Sequence, residues 1–317
     1  GFMAAIRHEI YQKRFPFAHT YSIVARDPAT GQMGVAVQSH WFSTGSMVTW
    51  AEPGVGAIAT QSMVEVSYGP LGLNKMRNGK TAPEVLKSLL QEDQNREVRQ
   101  VAMIDARGNV GVHTGSRCIA EAGHQNGEQY SVQANMMKKN TVWPAMARAY
   151  EASTGDLAER LLAALDAAQA EGGDIRGKQS AAMLVVSGEH SDHPWSGILI
   201  DLRVEDHTEP LAELRRLLTI QRAYQAMNQG DEFLSEGDFQ KAFNAYNRAI
   251  DLAPQLEELS FWKAVTLADT GKVEESLPIF KRVFAVNPDW SLLLQRLPAA
   301  GLLKVDPESM NKITSQQ

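Results

Sequence analysis

The chain has 317 residues, of which 44% are hydrophobic and 21% charged, a balance that excludes wholesale disorder and fibrous architecture. Its 31 Lys and Arg stand against 37 Asp and Glu, a net charge of −6, which argues against nucleic-acid binding through clustered positive charge. The single cysteine, Cys118, rules out an internal disulfide framework. No apolar run approaches the ~18 residues of a membrane span, and the length suggests two domains at ~100–200 residues each.

Gly1-Phe2 ahead of Met3 reads as a cloning scar. Residues 3–19, MAAIRHEIYQKRFPFAH, carry Arg7, Glu9, Lys13 and Arg14 where a secretory signal has its apolar stretch, so a cytoplasmic location is expected. From Tyr21 to Ser39 two alternating apolar runs, YSIVARD and MGVAVQS, flank PATGQ and predict a β-hairpin. AIATQS at 57–62 predicts a strand. Thr81-Ala82-Pro83-Glu84 forms a capping box that opens a helix with Val85, Leu86, Leu89 and Leu90 on one face. Residues 99–113 read as a second hairpin turning at Gly108, with further strands at 128–133, 179–187 and 197–204. Between these, Asp156 to Glu171 spaces Leu157, Leu161, Ala164, Leu165 and Ala168 as a helix ended by Gly172-Gly173. Strand pairs and long helices in this order predict an α+β layered domain over residues 20–212.

Residues 213–317 are helical in pattern and repeat. Gly237 and Gly271, Tyr246 and Phe280, and Pro254 and Pro288 are each 34 apart (271 − 237, 280 − 246, 288 − 254). Small, aromatic and proline positions at that period resemble the tetratricopeptide repeat, in which paired helices touch through small residues. Two units are few for a free-standing array, so helix 209–225 and the tail Ser291–Leu303 are expected to cap it, docked on the first domain or a partner. The concave face of such repeats suits a protein or peptide partner, with Phe243, Phe261, Trp262 and Trp290 as contributors or as packing.

All eight histidines lie at or before His207, which places any chemistry in the first domain. Polar residues gather there at element ends: His19-Thr20, Gln38-Ser39-His40, Thr60-Gln61-Ser62, His113-Thr114, Gln133-Ala134-Asn135, and Arg176 through Ser180. HTYSIVARDPATG, GVAVQSHWFSTGS, GVGAIATQS, HTGSRC, AGHQNGEQYSVQANMM, GGDIRGKQSAAMLVVS and WSGILIDLRVEDHTEPLAELRRLL together resemble the domain of unknown function 1028 family. The resemblance implies a fold similar to N-terminal nucleophile hydrolases, a four-layer αββα sandwich, followed here by the all-α repeat domain. It implies a leader, residues 1–19, whose removal frees Thr20. A free α-amine with pKa about 7.7–8.0 can take the proton of the hydroxyl on the same residue. On the same resemblance Asn135 is expected to stabilise the oxyanion. Ser39, His40, Gln61, His113, Gln179 and Arg176 are expected to line the substrate site, with Arg26, Lys178 or Arg176 expected to tune the amine or hold a substrate carboxylate.

The expected activity is hydrolysis of a small amide or cyclic amide. While the 19 preceding residues stay attached, the Thr20 nitrogen is a peptide nitrogen and cannot act as a base. An unprocessed precursor, a catalyst with another base, and a catalytically silent ligand-binding domain whose repeats recruit a protein all remain open. His113, Cys118 and His124, spaced by five and six, match no standard short metal motif; a metal-dependent hydrolase is a third reading, and the simpler one has His113 hydrogen-bonded in a strand-end turn, Cys118 packed as a small apolar residue and His124 in a Gly123–Gly127 loop. GPLGLNKMRNGK lacks Walker spacing and GVGAIA lacks a third glycine, so no cofactor is expected. Layered domains with exposed faces also make homo-oligomerisation an expectation.

Overall fold

The computed structural model describes residues 17–317; most of the expected leader therefore lies outside the described residues. Two compact units divide the chain, one ending at Arg216 and the other running Leu217–Gln317. The first is built on two antiparallel sheets. One has the order β1 (Phe17–Ala18), β5 (Gly56–Met63), β6 (Arg99–Asp105), β7 (Val110–Thr114), with β4 (Thr49–Glu52) also on β5. The other runs β11 (Ile198–Val204), β10 (Ser180–Val186), β3 (Met33–Ser39), β2 (Thr20–Arg26), β9 (Tyr130–Ala134), β8 (Gly123–Gly127).

Alternation decides which side chains meet. In the β2–β3 hairpin Thr20 pairs with Ser39 and Arg26 with Met33, so Val24, Val35 and Val37 share one face. That face packs on Ala57, Ala59, Ala102 and Ile104 of the opposite sheet. The outer face of the first sheet, with Ile58, Val101 and Met103, is covered by α1 (Tyr68–Arg77) and α2 (Ala82–Glu92) through Tyr68, Leu73, Val85, Leu86 and Leu89. The second sheet is covered by α3 (Val142–Ala152) and α4 (Leu157–Ala170). The layers therefore run helix, sheet, sheet, helix. At Gly34 any Cβ would stand 2.7 Å from Leu161 Cδ1, and the missing side chain lets α4 close on β3.

The capping box forms as the sequence predicts: Glu84 N donates to Thr81 Oγ1 at 3.4 Å and Thr81 N to Glu84 Oε2 at 2.9 Å. One element differs from the sequence expectation. Gly123–Gly127, read as a loop around His124, is strand β8, held by its backbone ladder to β9 from Gly123↔Ala134 to Gly127↔Tyr130. Its largely exposed polar residues carry no alternating apolar signal. GPLGLNKMRNGK lies mostly in helix α1 despite Gly69, Pro70 and Gly72; a Cβ at Gly72 would stand 2.6 Å from Ile58 Cδ1, so tertiary contact overrides propensity.

The second unit is all helical: the 26-residue α5 (Pro210–Ser235), within which the division falls, then α6 (Phe239–Leu252), α7 (Glu257–Asp269), α8 (Val273–Val286), α9 (Asp289–Arg296) and α10 (Pro307–Thr314). The 34-residue period is structural. Gly237 and Gly271 each follow a helix with φ of 80° and 87°, the left-handed stop that glycine adopts freely. The segment expected as a 209–225 cap is instead part of α5, whose Ala223 and Met227 pack on Ala242 and Tyr246. The tail caps the array, as expected. Leu294, Leu297, Leu303 and Ile313 join the cluster of Phe261, Phe280, Val283 and Phe284, so the tail closes the second repeat itself. Phe261 is fully buried there, and Trp262, Trp290 and Phe243 pack against the same cluster.

Candidate functional site

Strand β1 belongs to one sheet and β2 to the other, and His19 is the one residue between them. The chain thus passes between sheets at the His19–Thr20 peptide bond. The carbonyl oxygen of His19 accepts two side-chain hydrogen bonds, from Ser39 Oγ at 2.6 Å and Arg176 Nη2 at 3.0 Å. Ser39 arrives because it stands opposite Thr20 in the hairpin register. Arg176 arrives on a loop bounded by Gly172, Gly173 and Gly177, all at positive φ, where a larger residue would be strained. Asp174 orients it: the carboxylate, wholly buried, takes Arg176 Nη2 at 2.7 Å and Nε at 3.1 Å. Asp174 also accepts from the backbone of His40 at 3.3 Å.

Thr20 is 0% exposed, and its hydroxyl donates to Ala18 O at 2.6 Å. Its own carbonyl accepts from Asn135 N at 3.0 Å. Below it lies a seam of buried amides between the sheets. Gln100 Nε2 donates to Gly123 O, Ala134 O and Thr114 Oγ1, so its Oε1 faces Gln61 Nε2 at 2.8 Å and Asn135 Nδ2 at 2.9 Å. Asn135 Oδ1 then faces the His19 ring at 2.7 Å, and because a carbonyl oxygen only accepts, His19 Nδ1 carries the proton. Burial lowers the His19 pKa, which favours the neutral ring. Ser22 donates to Gln61 Oε1 at 2.6 Å and receives Gln133 Nε2 at 2.7 Å, and Ser131 completes the chain on Gln133 Oε1. Two non-glycine residues in the left-handed region, Ser62 (φ 73°) and Met136 (φ 57°), directly follow Gln61 and Asn135. Such backbone costs of order 1–3 kcal/mol each and concentrates at functional sites.

The structure thus gathers Thr20, Ser39, Gln61, Asn135 and Arg176 and brings in His40 by its backbone. It does not gather the rest. His113 pairs across from Val101 on the helix-covered face of the first sheet, turned away from the seam, and its Nε2 meets Arg96 O at 2.8 Å. Gln179 is engaged through its carbonyl, which accepts from His207 N at 2.8 Å. Lys178 is paired with Glu209 at 2.6 Å. Arg26, at the far end of β2, donates to Gln129; six residues of strand put it roughly 20 Å from Thr20. Cys118 Sγ approaches Arg99 O and His124 Nδ1 meets Thr114 Oγ1. Among the described residues no three His, Cys, Asp or Glu are placed to share a metal ion. A separate cavity of about 680 Å³ beside α2 and β7, lined by Pro83, Leu86, Arg96 and Asn126, holds none of the gathered residues.

Sequence reasoning missed Asp174, Ser22 and Gln100. The signal for two of them was present: Ser22 and Gln100 occupy inward positions in strands whose other inward residues are Val24, Ala102 and Ile104. A polar side chain on an apolar stripe requires a buried partner.

A family model described as a family of unknown function, DUF1028, matches residues 20–214, and a tetratricopeptide repeat model matches residues 233–297. Among solved structures the chain is similar to protein SPO2555 from Silicibacter pomeroyi, which carries the same family model. Identity is 32% over 63% of this chain and 88% of that one, with a TM-score of 0.57. It is also similar, at 13% identity over 62% of this chain and 92% of the other, to Anbu (ancestral beta-subunit) from Yersinia bercovieri, with a TM-score of 0.30. No curated protein matches it. No helix among the described residues is long and apolar enough to cross a membrane. With a match that takes in more than half of its residues, the chain belongs to the family of unknown function DUF1028 and carries tetratricopeptide repeats after that domain.

Proposed function

We propose that this protein is the precursor of an N-terminal nucleophile amide hydrolase, with residues 20–212 as the reacting domain and 213–317 as a scaffold that recruits a protein partner. One observation carries the reading: the carbonyl oxygen of the bond to be broken sits under two donors, Ser39 Oγ and Arg176 Nη2. Donors preplaced on such an oxygen stabilise the charge that develops when a nucleophile adds to its carbon. The Thr20 hydroxyl adds to the His19 carbonyl carbon. The carbon–nitrogen bond breaks as the hydroxyl proton passes to the Thr20 nitrogen, leaving an ester and a free amine. Water then cleaves the ester, giving the His19 carboxylate and restoring the hydroxyl. The same cycle runs on a substrate amide, with the Thr20 amine as base and an acyl ester as intermediate. Ser39 and Arg176 take the oxyanion role expected of Asn135, whose amide N–H is committed to Gln100. The family match starting at residue 20 accords with this division.

Intact-mass measurement of the purified full chain tests it. The expected species begins at Thr20 and is absent from Thr20→Ala. A chain that stays whole, with any activity retained in Thr20→Ala, sinks the assignment.

A second reading rests on a different observation. Phe17–Ala18 form a strand of the fold and Thr20 is wholly buried, as in a catalytically silent domain that keeps its leader. That reading predicts an uncut chain and a bound partner lost on deletion of residues 219–317.

A further inference from the structure

Strand β1 pairs antiparallel with β5 through Phe17↔Met63 and Ala18↔Ser62. Strand β4 covers β5 only from Gly56 to Ala59, and β6 occupies the other edge of β5. Departure of β1 therefore exposes the backbone of Ser62 and Met63, an open sheet edge of the kind that accepts an extended peptide. The same departure empties three side-chain positions whose chemistry can be read. His19, 2% exposed, gives its ring N–H to Asn135 Oδ1; Ala18, 0% exposed, is packed in the inter-sheet cluster; Phe17 lies with its ring centroid 6.0 Å from that of His19.

We propose that the space filled by Phe17–His19 is the acyl-side site for an extended peptide substrate. The peptide pairs with β5 in the register of Phe17 and Ala18, and its scissile carbonyl lies under Ser39 and Arg176. This deepens the hydrolase reading and rests on it. The reaction is the one written above, with the peptide carbonyl in place of that of His19. The residue supplying the carbonyl carries a hydrogen-bond donor for Asn135. The residue before it is small, because the Ala18 position is enclosed by the two sheets. A cyclic amide has no backbone to lay along β5, so the site separates peptides from lactams. The left-handed Ser62 backbone, at the point where the occupant pairs, is the strained element expected where a ligand is gripped.

The test uses the full chain after purification, its amino terminus read by mass, with three fluorogenic amides: acetyl-Phe-Ala-His-aminomethylcoumarin, acetyl-Phe-Leu-His-aminomethylcoumarin and acetyl-His-aminomethylcoumarin. The expected result is a chain starting at Thr20 with kcat/KM at least tenfold higher for the Phe-Ala-His amide than for either of the others. Acetyl-Phe-Ala-His with a free carboxylate should compete with the Phe-Ala-His amide. A chain starting at Thr20 that cleaves all three amides equally, or none, overturns the strand site and leaves the nucleophile reading standing. A chain that never starts at Thr20 overturns both, and the mass distinguishes the two failures.

Discussion

The helical repeats close on carbon, through Phe261, Phe280, Phe284, Leu294 and Leu297, and the polar side chains buried in that unit are two serines, Ser276 and Ser291. The two-sheet unit buries Gln61, Gln100, Gln133 and Asn135 in one bonded chain with Ser22 and Ser131. Apolar packing is non-directional and tolerates exchange among residues of similar volume. Buried amides do not, because each unmet donor or acceptor carries its full desolvation cost. The contrast shows where specificity of geometry was needed: in the seam beneath Thr20.

Substitutions that remove packing from one unit and polarity from the other sharpen this contrast. Phe261→Ala should cost about 3–5 kcal/mol, read as faster peptide-resolved hydrogen exchange confined to residues 257–314. Gln100→Leu keeps volume but orphans the Gln61 and Asn135 amides, and about 2–4 kcal/mol of the first unit's stability should go with them in chemical denaturation. Formation of the Thr20 species should fall in Gln100→Leu and stay unchanged in Phe261→Ala. Equal loss in both would break the comparison.

Acid should separate the units more gently. Burial holds the folded His19 pKa below the ordinary 6.5, and His124 shifts the same way, also by burial. The unfolded rings then bind protons first as pH falls. The stability that these groups contribute is complete above about pH 6.5 and is lost as pH drops through their lower folded values. The repeats contain no histidine. Between pH 7 and 5 protection, taken as exchange relative to the intrinsic amide rate at each pH, should fall in the first unit with little change in the second, and His19→Asn should flatten part of that response. The smallest effect belongs to Ser276→Ala, which places in the second repeat the residue that the first holds at Ala242. Its hydroxyl donates only to Val273 O within its own helix, so the change should stay under about 1 kcal/mol by thermal denaturation.

Much of the architecture was legible because it is written in short periods. The 21–39 hairpin, the Thr81 capping box, the Asp156-capped helix and the 34-residue repeat each need only neighbours a few turns or strands away. Strand β8 was not legible, since backbone pairing to β9 supplies what its exposed polar residues do not. The site was legible in part. Thr20, Ser39, Gln61, Asn135 and Arg176 stood out at element ends, but so did His113 and Gln179, and periodicity alone did not say which face of which sheet each would join.

The sequence by itself determined the hairpin that ends at Ser39, the helices opened by Thr81 and Asp156, and the 34-residue repeat. Only the tertiary structure decided that Ser39, 20 residues from His19, and Arg176, 157 residues from it, converge on one carbonyl oxygen. Local pattern depends on residues close in the chain. Convergence of distant segments depends on strand order and register, which are settled when the sheets assemble and their polar groups find partners.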